Sequence, residues 1–334
     1  MKVTVTGATG FLGSYMVRLL VEKGFNVRGT YRNSRKAEFL KEIGVEPIYS
    51  DLGDPTTFPP VVKGSDVVIH IAAYYTFTGK KNLYQKYNVE ATKLLADAAL
   101  KHKVMRFIYC SSTEAIGPVD NPPADENTPP RPQFLYGWSK LEAEHEVERI
   151  GGKGLEYTII RPSGLYGPQN VDDISYWFIT SFANGGIYSK FKVGSGESLV
   201  QFTHVKDAAL GFLLTIEKLE ASKNQVFIIA DERAYTYNQV YSILSKISGV
   251  PEPTTSLPPT LAKALLLPSH IYSLVKKGNL LYRMDIVDAV TKHRAYSIEK
   301  AKRFLGYRPI YDLESGLRET IEWYIKHGHI KGKH

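Results

Sequence analysis

The chain opens MKVTVTGATGFLG: a short run rich in β-branched residues, a turn with glycines at 7, 10 and 13, and then an apolar-periodic stretch. Three glycines between a strand and a helix narrow the choice of fold sharply. They let backbone N–H groups approach an anion at the helix N-terminus, where the helix dipole favours negative charge. In a parallel sheet the usual anion is the pyrophosphate of a dinucleotide. Gly7, Thr9, Gly10, Phe11, Leu12 and Gly13 are therefore expected to cradle one. The spacing is GxxGxxG, not the GxGxxG of ordinary dinucleotide folds.

The rest of the first half agrees. Strand-like runs at 3–6, 27–30, 46–49, 67–71, 107–110 and 158–161 alternate with helix-period segments at 12–22, 35–43, 83–100 and 136–149. Short apolar strands separated by helices imply an α/β fold, a doubly wound parallel sheet of Rossmann type. Beyond residue 162 the texture changes to a Gly-, Ser- and Tyr-rich stretch. A helix pattern returns at 201–219, and a further strand is expected at 225–230. We expect a dinucleotide-binding domain from 1–162 and 201–230, interleaved with a smaller substrate-binding domain from 163–200 and 231–330.

Composition excludes several classes. The net charge is +8, but the basic residues are scattered, with short clusters only at 32–36, 80–81 and 331–334, so nucleic acid is not an expected partner. A lone cysteine, Cys110, rules out an intramolecular disulfide and suits a reducing, cytoplasmic setting. The opening residues already read as a strand, so no cleaved leader is expected. HEVER at 145–149 begins like a zinc-protease helix, but Arg149 stands where a second histidine would be needed, and no metal site is expected. The apolar segment 257–277 is broken by prolines, Lys263 and His270, and falls short of the ~18–20 apolar residues of a spanning helix. It reads as a substrate cap rather than a membrane contact.

The residue ending the second strand bears on cofactor choice. NAD-binding folds usually place an acid there for the ribose hydroxyls. Here Tyr31 and Arg32 occupy the position, followed by Arg35 and Lys36. No carboxylate opposes a 2′-phosphate and up to three cations could hold it, so NADP is expected over NAD.

A tyrosine and a lysine four residues apart occur at Tyr136/Lys140, Tyr188/Lys192, Tyr272/Lys276 and Tyr296/Lys300, in a chain with 22 tyrosines. Spacing alone therefore selects none of them, and context must. With GATGFLG, Asp51-Leu52, HIAA at 70–73, NVEATKLL, SSTEAIG, YGWSK and RPSGLYGP in order, the chain resembles the extended short-chain dehydrogenase/reductase family over nearly its whole length. The resemblance implies that Asp51 and Leu52 meet the adenine. It also implies that Ile71, Ala72, Ala73, Asn88, Ser111, Pro162 and Ser163 line the cofactor path, and that Lys140 holds the nicotinamide ribose. Ser112, Tyr136 and Lys140 become the expected catalytic set.

Residues four apart share a helix face, so the Lys140 ammonium can stand beside the Tyr136 hydroxyl. A free tyrosine titrates near ~10, and a neighbouring cation, together with the charge of the oxidised nicotinamide, is expected to lower that. Tyr136 could then exchange a proton with an alcohol or ketone while Ser112 hydrogen-bonds the same oxygen.

For the substrate, two subfamilies are similar. Members resembling dihydroflavonol reductase or the 3β-hydroxysteroid dehydrogenases would oxidise or reduce an apolar ring alcohol or ketone; nucleotide-sugar epimerases or dehydratases would transfer hydride only transiently. Sugar-nucleotide members commonly carry a diphosphate-gripping arginine where Val200 stands here. That, the Tyr31-Arg32 loop and the apolar 257–277 segment favour the former, whereas YGWSKLEAE and RPSGLYGP are common among the latter. The family often dimerises through helices corresponding to 83–100 and 136–149. Leu94, Leu95, Ala98, Ala143 and Val147 offer apolar surface for a homodimer, or for the chain's own sheet.

Overall fold

The computed structural model describes residues 1–76, 79–275 and 283–331. Its frame is a seven-stranded parallel sheet made of β1 (Lys2–Thr6), β2 (Asn26–Tyr31), β3 (Glu46–Tyr49), β4 (Val67–His70), β5 (Arg106–Cys110), β6 (Tyr157–Pro162) and β7 (Gln225–Ile229). The order across the sheet is β7-β6-β5-β4-β1-β2-β3. The chain moves outward from β1 in one direction, then returns to β4 on its other side. Between β1 and β4 lies the point where strand order reverses, and ligands of open α/β sheets bind at the carboxyl ends of the strands there.

Both faces of the sheet are covered by helices. Every residue of β4 and β5 is buried, as expected when helices pack on both sides. One face packs α1 (Phe11–Glu22) and α5 (Val205–Glu217), with Leu12, Met16, Leu20, Phe212 and Ile216 in a shared core. The other face packs α2 (Ala91–Lys101) and α3 (Leu135–Gly151) against Val68, Phe107 and Ile159. Leu95, Ala98, Ala143 and Val147 belong to this second core, while Leu94 is 37% exposed. An intermolecular bundle of these helices therefore has only Leu94, of those five, to offer.

The helix expected at 83–100 is three pieces: Lys81–Tyr84, a wider π-helical turn at Gln85–Glu90, and α2. Such turns reposition a side chain within a helix. The displaced residue here is Asn88, whose amide donates to the Tyr74 carbonyl and to Ser139 on α3, and accepts from the Tyr74 amide at 2.7 Å.

Above the carboxyl edge sits a cap. Its core joins Ile179 and Phe182 of α4 (Ile174–Ala183) to Tyr166, Val200, Tyr235, Leu244, Leu317 and Tyr324. Its strands form only two-stranded pairs, such as Phe202–His204 with Gly164–Tyr166. The Asp207 carboxylate accepts from the amides of Ile310 and Tyr311 at 2.8 and 3.0 Å, fixing the C-terminal segment against α5. Within the segment 257–277, residues Pro259–Val275 form α6, and 276–277 lie outside the described residues. Among the described residues no helix is long and apolar enough to cross a membrane.

Candidate active site

A cleft of about 1080 Å³ runs along the carboxyl edge, from the glycine turn through the gap between β1 and β4 into the cap. At its near end the wall is backbone. Gly7 has φ +71°, and a Cβ there would meet the Ala72 amide nitrogen at 2.8 Å; a Cβ on Gly13 would meet the Gly7 carbonyl at 2.0 Å. Only glycine lets the turn, the helix and the strand edge close this tightly. The turn is tied to β4 by His70, whose ring nitrogens meet the hydroxyls of Thr6 and Thr92 at 2.7 and 3.0 Å. Thr6 Oγ1 also accepts from the amides of Ile71 and Ala72. Burial, then the Lys140 charge, push His70 down to about 3, so its ring is neutral.

The expected cofactor residues fall into two groups. Gly7, Thr9, Gly10, Phe11, Leu12, Gly13, Tyr31, Arg32, Lys36, Leu52, Ile71, Ala72, Ala73, Ser111, Pro162 and Ser163 all line the cleft. Arg35, Asp51 and Asn88 do not. Asp51 turns its carboxylate onto the Gly53 amide at 2.8 Å, and Asn88 is occupied with Tyr74 and Ser139. The glycine turn, exposed helix terminus and basic rim fit a dinucleotide.

Ser112, Tyr136 and Lys140 line the middle of the cleft together. Ser112 begins a short turn after β5 and its Oγ accepts from the Glu114 amide at 3.1 Å. Tyr136 stands in the first turn of α3, with 8% of its surface exposed. Gly137 follows because a Cβ there would meet the Glu114 carbonyl at 2.1 Å, so glycine lets α3 abut the Ser112 turn. The buried Lys140 ammonium donates to the Cys110 carbonyl at 2.6 Å and lies 5.8 Å from the centre of the Tyr136 ring. Burial pushes Tyr136 well up, and burial also lowers Lys140. Tyr136 therefore holds its proton here.

The other Tyr/Lys pairs do not assemble this way. Tyr188 lines the cleft, but Lys192 donates to Asn238 at 2.8 Å instead. Tyr296 is buried and donates to the Gly117 carbonyl at 3.2 Å. Tyr272 is exposed, and Lys276 lies outside the described residues.

The far end is side chain: Phe178, Tyr188, Phe202, Tyr241, Leu266 and Val290 among others, with Val200 buried beside them. Arg294 neighbours Val200 through a backbone bridge. All three of its guanidinium nitrogens are committed: Nε to Glu114 at 2.9 Å, one terminal nitrogen to the Ala289 carbonyl at 2.7 Å, the other to Gln133 at 2.8 Å. Asp173 caps α4 and accepts from the Tyr75 hydroxyl, while the Tyr75 ring stands edge-on to Tyr136 at 5.0 Å between centroids.

The sequence model of the NAD dependent epimerase/dehydratase family matches residues 3–230. The chain belongs to that family. Its relatives over the full length include the "Sterol demethylase protein B" of Methylococcus capsulatus, 28% identical with 99% of this chain and 100% of that one covered. The mouse "Sterol-4-alpha-carboxylate 3-dehydrogenase, decarboxylating" is 28% identical, with 96% and 90% covered. Among solved structures, the UDP-glucose 4-epimerase of Thermotoga maritima with UDP-glucose superposes with a TM-score of 0.78 at 26% identity, covering 98% and 99% of the two chains.

Members of this family are NAD(P)-dependent oxidoreductases of the extended short-chain type. Against that background, three positions escaped the sequence reading. Glu144, four residues beyond Lys140, accepts from Ser111 and takes both Nε and a terminal nitrogen of Arg161 at 3.0 and 2.6 Å, locking α3 to β5 and β6. Its spacing was a usable signal: Tyr136, Lys140 and Glu144 share one helix face. Arg294 and Asp173 carried no such signal.

Proposed function

We propose that this enzyme interconverts a secondary alcohol and a ketone on an apolar, ring-type substrate, coupled to net oxidation or reduction of NADP(H). The observation carrying this reading is the far end of the cleft. Its wall is largely apolar, and the cation on its described lining, Arg294, already donates from each of its three nitrogens within the protein. A nucleoside diphosphate needs a cation or bidentate donor there. An apolar ring needs only area and shape.

When bound, the nicotinamide supplies the hydride donor or acceptor. The chain's own residues supply the rest. The glycine turn receives the pyrophosphate, and Arg32 and Lys36 at the adenine end favour a 2′-phosphate. Ser112 and Tyr136 converge on the substrate oxygen. Because burial keeps its proton on, Tyr136 is set to donate to a ketone oxygen as the carbonyl carbon is reduced, leaving the alcohol. Lys140, held by the Cys110 carbonyl, stands behind Tyr136 and stabilises the phenolate that proton transfer would leave.

The experiment is the fate of the nicotinamide. With ring ketones, NADPH absorbance should fall in step with product. Steady conversion of a UDP- or GDP-sugar at catalytic NAD or NADP, with no net redox change, would overturn this reading in favour of an epimerase or dehydratase.

A further inference from the structure

The wall opposite Tyr136 carries an acid that the proton transfer above does not use. Asp173 lines the cleft at the N-terminus of α4, and its Oδ1 accepts from the Ile174 amide at 2.5 Å and from the Tyr75 hydroxyl. Among the described residues nothing donates to its Oδ2. The Tyr75 hydroxyl thus links Asp173 to a ring whose centroid lies 5.0 Å from that of Tyr136. The neighbours of Asp173 include Ile174 and Phe178, and Asp172 adds a second negative charge. Among the described residues no lining cation offsets them, because Lys140 is bound to Cys110, Arg294 to Glu114, and Arg32 and Lys36 lie at the adenine end. Burial raises Asp173 to about 6, so at neutral pH it is a desolvated carboxylate with capacity to spare.

We propose that Asp173 determines specificity: its carboxylate accepts a hydroxyl carried by the substrate away from the reacting carbon, and it excludes ring compounds with an anionic group there. The inference rests on the alcohol–ketone reading above. Tyr75 is the placeholder, donating to Asp173 when no ligand does. A hydroxyl on an ionised acceptor in an apolar cleft makes a charge-assisted bond. An anion there meets uncompensated repulsion.

The test is calorimetric binding to the NADP-loaded full chain. Three probes are used: a decalin ring ketone, the same ketone with a hydroxyl on the other ring, and the same ketone with a carboxylate there. The hydroxy-ketone should bind about tenfold more tightly than the plain ketone and the carboxylate at least about tenfold more weakly. Asp173→Asn retains a helix cap of equal quality and removes the charge. It should shrink the hydroxyl advantage and abolish the carboxylate penalty, while Tyr75→Phe keeps both. Equal affinities in the wild type, tightest binding of the carboxylate, or an unchanged order in Asp173→Asn would each overturn the assignment. Turnover of the ketones without discrimination defeats Asp173 alone. Failure of every ring compound, with turnover of sugar nucleotides, defeats the alcohol–ketone reading and the assignment with it.

Discussion

At the dinucleotide end of the cleft the wall is backbone, brought close by Gly7 and Gly13 and fixed to β4 through Thr6 and His70. At the cap end the wall is side chain, on short strand pairs and helices whose partners lie far away in sequence. The first suits a ligand common to a whole family, because main-chain N–H groups cannot be altered by substitution. The second can change its preference by exchanging a few residues on a constant frame. Ser112, Tyr136 and Lys140 line the cleft between the two, and the largest predicted effect tests the proposal that the chemistry is there. Tyr136→Phe should lower kcat by about 10²–10⁴ while leaving cofactor affinity unchanged, since only the transferable proton is removed. Stopped-flow turnover with parallel cofactor titration measures both. If Tyr188→Phe, on the cap side, produced that loss and Tyr136→Phe did not, the boundary would have been drawn in the wrong place.

The next effect concerns what holds the boundary rigid. Glu144 is 2% exposed and carries two bonds from Arg161 and one from Ser111. Glu144→Ala leaves a buried guanidinium without its partner, and should cost about 3–5 kcal/mol of stability by urea denaturation. The exposed pair Lys223–Glu156 at the sheet's far edge provides the contrast. Lys223→Ala should cost under about 1 kcal/mol. Similar losses for both would mean that the buried pair has no special part in seating α3.

How far these two ends could be read from sequence follows from the range of the interactions building them. The glycine turn, the strand–helix alternation and the Tyr136/Lys140 face rest on residues within a turn or two of each other, where periodicity is informative. The Tyr75–Asp173 bond spans 98 residues and Arg294–Glu114 spans 180, and no local pattern encodes either. Leu95, Ala98, Ala143 and Val147 were legible as apolar faces, but periodicity does not say whether a sheet or a second subunit covers them; here it is the sheet. The π-helical turn at Gln85–Glu90 was equally hidden, since its wider winding depends on Asn88 finding Tyr74 and Ser139. Burial at Tyr136 was hidden for a related reason: spacing brings Lys140 near but does not say how deeply the hydroxyl lies, and it is burial that pushes it up.

Acid should separate the two ends more gently. His70, under the glycine turn, has a folded value near 3 against an ordinary 6.5. Its contribution to stability is complete above pH 6.5. As pH falls toward 3 the unfolded chain takes up a proton that the folded chain refuses, so stability drops by up to about 1.4 kcal/mol per pH unit. His204, beneath the cap, behaves alike down to about 4. Urea midpoints from pH 7 to 5 should show the summed slope, and His70→Asn should remove one share of it. A slope unchanged in His70→Asn would show that the ring beneath the glycine turn is not held neutral.

The smallest effect concerns the rim where the backbone end gives way to side chains again. Tyr31 ends β2 with Arg32 next to it, and Lys36 reaches back to the Thr9 carbonyl at 3.5 Å, so the adenine end carries two cations on its lining. Asp51 is turned onto the Gly53 amide and does not line the cleft. A ribose bearing a 2′-phosphate gains charge-assisted contacts at this rim, whereas a bare 2′-hydroxyl finds no carboxylate to donate to. NADP should therefore bind at least about tenfold more tightly than NAD, a difference of about 1.4 kcal/mol. Arg32→Ala should erase most of that preference by weakening NADP while sparing NAD, because the guanidinium serves only the phosphate. Fluorescence titration of both reduced cofactors against wild type and variant measures it. A preference surviving Arg32→Ala would move the selection to Lys36 or to backbone donors. Equal affinities in the wild type would mean that this rim does not discriminate between the two cofactors.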